Sequence, residues 1–184
     1  MTLYIVLGIL VLLAVVLLLH YNGLVAVRNH CEEAWANIDT ELKRRHDLIP
    51  NLVSTVKGFA AHEKEILTRI TELRESCTRM PHGTAEHARG EGELGSALKS
   101  LMVRLEAYPD LQAGANFQQL QQELVNTEDR IQAALRFYNG NVRENNAKVE
   151  MFPSNLVASM GGFTKRDYFQ IEGSEFRNNP KVAF

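Results

Sequence analysis

An uncharged run from Met1 to Leu19 constrains this chain more than any other feature. From Leu3 to Leu19 it reads LYIVLGILVLLAVVLLL. At about 1.5 Å per residue in a helix, such a run reaches about 28 Å, close to the ~30 Å hydrocarbon core of a bilayer. A cleaved signal peptide would carry a basic start, a shorter apolar stretch and a small-x-small cleavage site. This run has no Lys or Arg before it and ends in Leu17-Leu18-Leu19-His20-Tyr21-Asn22. It therefore predicts a retained transmembrane helix over residues 1–20. Leu3 and Leu19 bound the anchor, and Tyr4 and Tyr21 lie at its two ends, where aromatic rings favour the interface. Arg28, and further on Lys43, Arg44 and Arg45, follow the run. That bias places the bundle in the cytoplasm and the N-terminus outside.

All 22 acidic and 20 basic residues of the 184 fall after this run, so the rest of the chain is a polar domain. A net charge of −2 and a pI near 6.3 argue against affinity for nucleic acid through phosphate neutralisation. Two cysteines, neither in a C-x-x-C, give no disulfide framework.

Beyond the run, apolar residues recur at helical spacing and no stretch alternates as a strand would. Trp35, Leu42, Ile49, Val56, Ile70 and Cys77 share one heptad position. Leu24, Cys31, Ile38, Leu52, Phe59, Ile66, Leu73 and Met80 share a second. Arg28, Arg45 and Glu63 interrupt this seam of a helix that packs on other helices. The seam keeps phase across Gly58, which suits one rod to Met80, whereas Lys57-Gly58 suits a break there. Pro50 removes one hydrogen bond and orphans the carbonyl of His46.

The stretch 81–96 carries four glycines without apolar periodicity and reads as a mobile loop. A short helix using Leu94, Leu98, Leu101, Val103 and Leu105 should follow and stop before Pro109. Asn116 with Gln119 resembles a capping box. The helix it opens runs to about Met151, on a stripe from Phe117 through Ile131 and Tyr138 to Phe152. A helical turn to Met160 meets Gly161-Gly162. The polar tail 163–184, with Phe163, Tyr168, Phe169, Phe176 and Phe184 spaced along it, reads either as a docked strap or as a partly disordered end. The fold class is thus all-α: the transmembrane helix continues into an elongated antiparallel bundle of three to four helices over 21–162.

Several local patterns then converge. Ala34-Trp35-x-x-Ile38-Asp39 is followed by Leu42-Lys43-Arg44-Arg45-x-Asp47-Leu48-Ile49-Pro50-Asn51-Leu52, and then by Val56-Lys57-Gly58-Phe59-Ala60. Further on come Tyr108-Pro109-x-Leu111, Asn116-Phe117, Tyr138-Asn139-x-x-Val142, Phe152-Pro153 and Gly162-Phe163. Together they resemble the LemA family signature over residues 21–184, with Asn145 departing from its usual Tyr. The resemblance implies a single-pass protein of the bacterial inner membrane with a helical bundle and no established enzymatic activity. It also implies relatives that act in magnetosome formation or occur beside membrane-embedded zinc metalloproteases.

The polar cluster Lys43, Arg44, Arg45, Asp47, Pro50 and Asn51 is the candidate site. Arg45 falls on the apolar seam, where an unpaired charge would cost several kcal/mol. It needs a partner on the C-terminal helix, among Glu128, Asn139, Glu144 and Asn145. A buried polar layer that fixes helix register is the leading reading, and a partner-binding site the second. His62-Glu63 opens HEKEI, which has Ile66 where H-E-x-x-H needs its second histidine, so no metal site is expected there. His82 and His87 read as solvated loop residues, and Cys31 and Cys77 as small core hydrophobes. The asparagines 139, 141, 145 and 146 suit interhelical hydrogen bonding.

No phosphate-cradling, dinucleotide or nucleophile-elbow motif occurs, so no catalytic residue or cofactor is expected. The expected function is a non-enzymatic scaffold held in the lipid bilayer and forming homo-oligomers. The alternative is an adaptor for a membrane-embedded zinc metalloprotease. Nucleic acid is not an expected partner.

Overall fold

The computed structural model describes residues 1–171. Among them no strand occurs, and the all-α expectation holds. Helix α1 spans Thr2–Lys57 and carries Pro50 in its interior. A 3-10 turn at Ala61–Glu63 leads into α2, Lys64–Arg79. Then come α3, Ala85–Leu105, the single turn α4, Pro109–Gln112, and α5, Ala115–Glu150. The short helix α6, Ser154–Gly161, closes at Gly162, whose φ of 69° suits a glycine.

The open question at Gly58 resolves as a break. The amides of Phe59 and Ala60 both turn back to the carbonyl of Val56, at 3.0 and 2.9 Å. Leaving the helix shifts the phase, so Phe59 is exposed although it continues the apolar seam. Asn116 lies inside the first turn of α5 instead of capping it, because the helix already begins at Ala115.

The largest correction concerns residues 81–96. They are not a loop beyond Thr84: the Thr84 hydroxyl accepts from the His87 amide at 3.1 Å and caps α3. The glycines that suggested mobility serve close packing. A Cβ on Gly90 would stand 2.9 Å from Cys77 Sγ and 3.2 Å from Met80 Sδ. A side chain there would have to displace these sulfur atoms, and tertiary contact overrides the low helix propensity of glycine. Within α3, Leu94, Leu98, Leu101 and Leu105 are buried, whereas Val103 faces solvent.

The chain forms two compact units, with α1 and α5 contributing to each. The first comprises Met1–Asp39 and Ala133–Tyr168. Its apolar run carries a mean hydropathy of 3.1 and none of it is buried against protein. From Leu24 the same helix packs, with Val27, Cys31, Ala34 and Ile38 inward and Leu135, Tyr138 and Val142 buried from α5. Trp35 stacks edge-on against Tyr138, ring centres 5.5 Å apart. Leu24 also packs with Val157 and Ala158 of α6, flanked by Val149 and Phe163. Residues 164 and 166 of the following segment are held on the unit by asparagines of α5. The side-chain amide of Asn145 donates to the Thr164 carbonyl, and Asn146 both donates to the carbonyl and accepts from the amide of Arg166. Asn141 donates to the His30 carbonyl of α1. Of the tail aromatics, Phe176 and Phe184 lie outside the described residues.

The second unit comprises Thr40–Gln132 and, among the described residues, 169–171. The end of α1, α2, α3 and the first half of α5 enclose a core of Ile49, Leu52, Ile70, Leu94, Leu101, Phe117 and their neighbours. Each such side chain withdrawn from water contributes about 1.5–3 kcal/mol. Against that core the unit holds one set of buried charges.

Candidate functional site

Arg45 projects from the apolar face of α1 because the heptad phase leaves it no other direction, and it is only 2% exposed. Desolvating a guanidinium costs several kcal/mol, so its donors must be met. Nη2 donates to Glu91 Oε2 at 2.5 Å and to the Glu91 carbonyl at 3.0 Å. Nη1 donates to Glu128 Oε2 at 3.0 Å. The room comes from glycine again: a Cβ on Gly95 would approach Nη1 to 3.3 Å. Glu128 is among the partners the sequence suggests. Glu91, fully buried, is the one it missed.

Two histidines complete the layer. His46 Nε2, on α1, stands 3.0 Å from Glu91 Oε1, and His87 Nε2, one turn before Glu91 on α3, stands 3.3 Å from the same oxygen. His87 is therefore a buried residue and not a solvated one, 2% exposed and facing the Phe169 ring at 6.1 Å. His82 stays exposed, its ring 5.1 Å from that of His87. Burial alone would raise the pKa of Glu91. The two imidazoles and the Arg45 charge outweigh that burial and hold its carboxyl below the usual carboxylate range. Burial, reinforced by the Glu91 charge, pushes the adjoining Cys77 thiol up to about 12. Cys31, in the first unit, is also raised by burial. Both are free core thiols, as the sequence suggests.

Below this layer Arg74 of α2 donates from Nε to the carbonyl of His46 at 2.8 Å. That carbonyl is the one Pro50 leaves without a helical partner. A side chain from the next helix thus repairs the defect and ties α2 to α1 at one height.

The remaining residues of the sequence cluster do not join Arg45. Lys43, Arg44, Asp47, Pro50 and Asn51 are all exposed, and Arg44 contacts Glu41 at 3.5 Å. Glu63 is engaged by Arg104 and Tyr108 across to the end of α3, each at 3.3 Å. Among the described residues no group of His, Cys, Asp and Glu is arranged to hold a metal ion. Dissolved substrate cannot reach the Glu91 carboxylate without opening the bundle. Its chemistry is positional: three helices, α1, α3 and α5, meet through one charge layer whose bonds exist at a single register.

These features define a class: an all-helical protein with one helix apolar and long enough to cross a membrane, and a bundle pinned internally by charge. The chain belongs to the LemA family, whose model matches residues 34–184. It is similar to "Magnetosome protein MamQ 2" of Paramagnetospirillum magneticum, 27% identical over 84% of this chain and 66% of the relative. MamQ of Magnetospirillum gryphiswaldense is 25% identical over 83% of this chain and 65% of its own length. "Protein LemA" of Metamycoplasma hominis is 27% identical over 85% and 75%. The chain therefore spans just under two thirds of the MamQ relatives it matches.

Proposed function

We propose that this protein is a non-enzymatic scaffold of the bacterial inner membrane, anchored by residues 1–20 and docking copies of itself through its bundle. One observation supports this reading most. The apolar run passes without a break into the bundle's first packed helix, and Leu24 is already buried five residues after Leu19. A flexible tether would leave the bundle free to tumble, whereas a continuous helix transmits the orientation of the anchor. Confinement to a membrane plane then raises the effective concentration for weak contacts between copies. The closed charge layer fits a structural role, because it is spent on register and offers no reachable nucleophile or base.

Native mass spectrometry of the detergent-extracted protein tests the proposal. Multiples of the 20.8 kDa chain support self-assembly. Recovery of single chains only would overturn it, and stoichiometric recovery of a membrane metalloprotease would replace it with the adaptor role.

A further inference from the structure

From Met151 to Phe163 the sequence MFPSNLVASMGGF holds no charged residue, although Lys148 and Glu150 precede it and Lys165 and Arg166 follow. This segment contains α6. One side of it is satisfied: Val157 and Ala158 are buried on Leu24. The opposite side is apolar and bare, with Phe152 at 77%, Leu156 at 56% and Met160 at 84% exposure. A short helix and the turn before it have no need of three large apolar groups facing water, and such a patch marks a contact.

Its neighbour on α1 identifies the contact. Tyr21 meets Phe163 edge-on with ring centres 5.6 Å apart, and the Arg28 guanidinium lies over the same ring at 5.5 Å. A Cβ on Gly161 would reach the Tyr21 ring at 3.5 Å. Tyr21 and Leu24 follow the last leucine of the apolar run by about 3 and 7.5 Å along the helix axis. The headgroup layer on each side of the hydrocarbon core is about 6 Å deep. The bare face of α6 therefore begins at the height where the anchor leaves the hydrocarbon.

Resting on the reading of residues 1–20 as a bilayer anchor, we infer that α6 is a second membrane contact. Phe152, Leu156 and Met160 enter the headgroup–acyl boundary of the leaflet from which α1 emerges. Lys148 and Lys165 bracket the uncharged segment, as basic residues do at an interfacial helix. Both have carboxylate partners, Glu144 and Glu150, so the contact is chiefly apolar and not a headgroup-charge trap. The lipid surface thus covers the patch, and the contact fixes the anchor at two points instead of one.

Tryptophan quenching by brominated lipid in vesicles of phosphatidylcholine and phosphatidylglycerol tests this on the full chain. The probes are Phe152→Trp and Met160→Trp, each with Trp35→Phe so that one indole remains. Leu10→Trp on the same background reports the anchor, and the native Trp35, stacked on Tyr138 well beyond the apolar run, serves as the protein reference. Bromines near the glycerol end of the acyl chains should cut the emission of both α6 probes by about half and leave Trp35 nearly unchanged. Bromines near the chain ends should quench the Leu10 probe most strongly. A quenched Leu10 probe with unquenched α6 probes overturns the inference and leaves the anchor standing. Blue-shifted but unquenched α6 probes also overturn it, since protein, a second copy for instance, would then cover the face. An unquenched Leu10 probe removes the anchor and the inference together.

Discussion

Replacing Glu91 by Gln keeps the shape of the buried layer and removes its negative charge. Arg45 then retains the Glu91 carbonyl and Glu128, but loses its 2.5 Å carboxylate partner. His46 and His87 lose the anion they both face. Breaking a buried pair from one side costs about 3–5 kcal/mol, and the remaining Glu128 contact puts this case near the lower end. At about 2–4 °C per kcal/mol for a chain of this size, Glu91→Gln should melt about 6–12 °C below the parent. Far-ultraviolet circular dichroism in mild detergent at neutral pH reads the shift.

The same contact has a pH signature. The Glu91 carboxyl titrates lower in the folded chain than in the unfolded one. Its contribution is therefore complete above the unfolded value of about 4.3 and is lost as the pH falls from there through the folded value. The gap between parent and Glu91→Gln should accordingly narrow below about pH 4.3. In combination, Arg45→Met with Glu91→Gln should cost less than the two single changes summed, by about 1–3 kcal/mol. If Glu91→Gln melts with the parent, or the gap widens in acid, the charge layer does not hold the bundle as described.

Other changes give equally direct readings. Gly90→Ala should destabilise by about 1–3 kcal/mol through contact with Cys77 and Met80, whereas Gly140→Ala, with nothing near its Cβ, should stabilise by about 0.5–1 kcal/mol in the same melts. Arg74→Met should cost about 1–2 kcal/mol by orphaning the His46 carbonyl, and less in a Pro50→Ala background, where residue 50 regains an amide to offer it. A double-mutant cycle by chemical denaturation measures that coupling. With its thiol held near 12 and fully packed, Cys77 should alkylate slowly at pH 8 until the chain is unfolded, as followed by intact mass.

Periodicity carried most of the fold. The seam from Leu24 through Cys31, Ile38 and Arg45 to Leu52 maps onto buried residues, because a helix packed along one face repeats its burial at fixed spacing. Arg45 could be singled out by the same logic, being a charge on an apolar position. Its main partner could not. Glu91 and His87 sit among Gly90, Gly92 and Gly95, and local propensity there favours a loop. Only the neighbouring Cys77, Met80 and Arg45, distant in sequence, make glycine the residue that fits. The His46 carbonyl was legible as an orphan from Pro50, but its rescue by Arg74 depends on how α2 packs. Phe152 reads as the end of the buried stripe of α5. It is exposed because α5 ends two residues earlier, at Glu150.

The fate of residues 1–20 in the cell decides whether this chain is anchored in a membrane. Membranes washed at alkaline pH, followed by intact-mass analysis of the pellet and the supernatant, measure that fate. An anchored chain should retain the apolar run, stay in the pellet, and be released only by detergent. A chain in the supernatant that begins after Tyr21 would contradict the anchor.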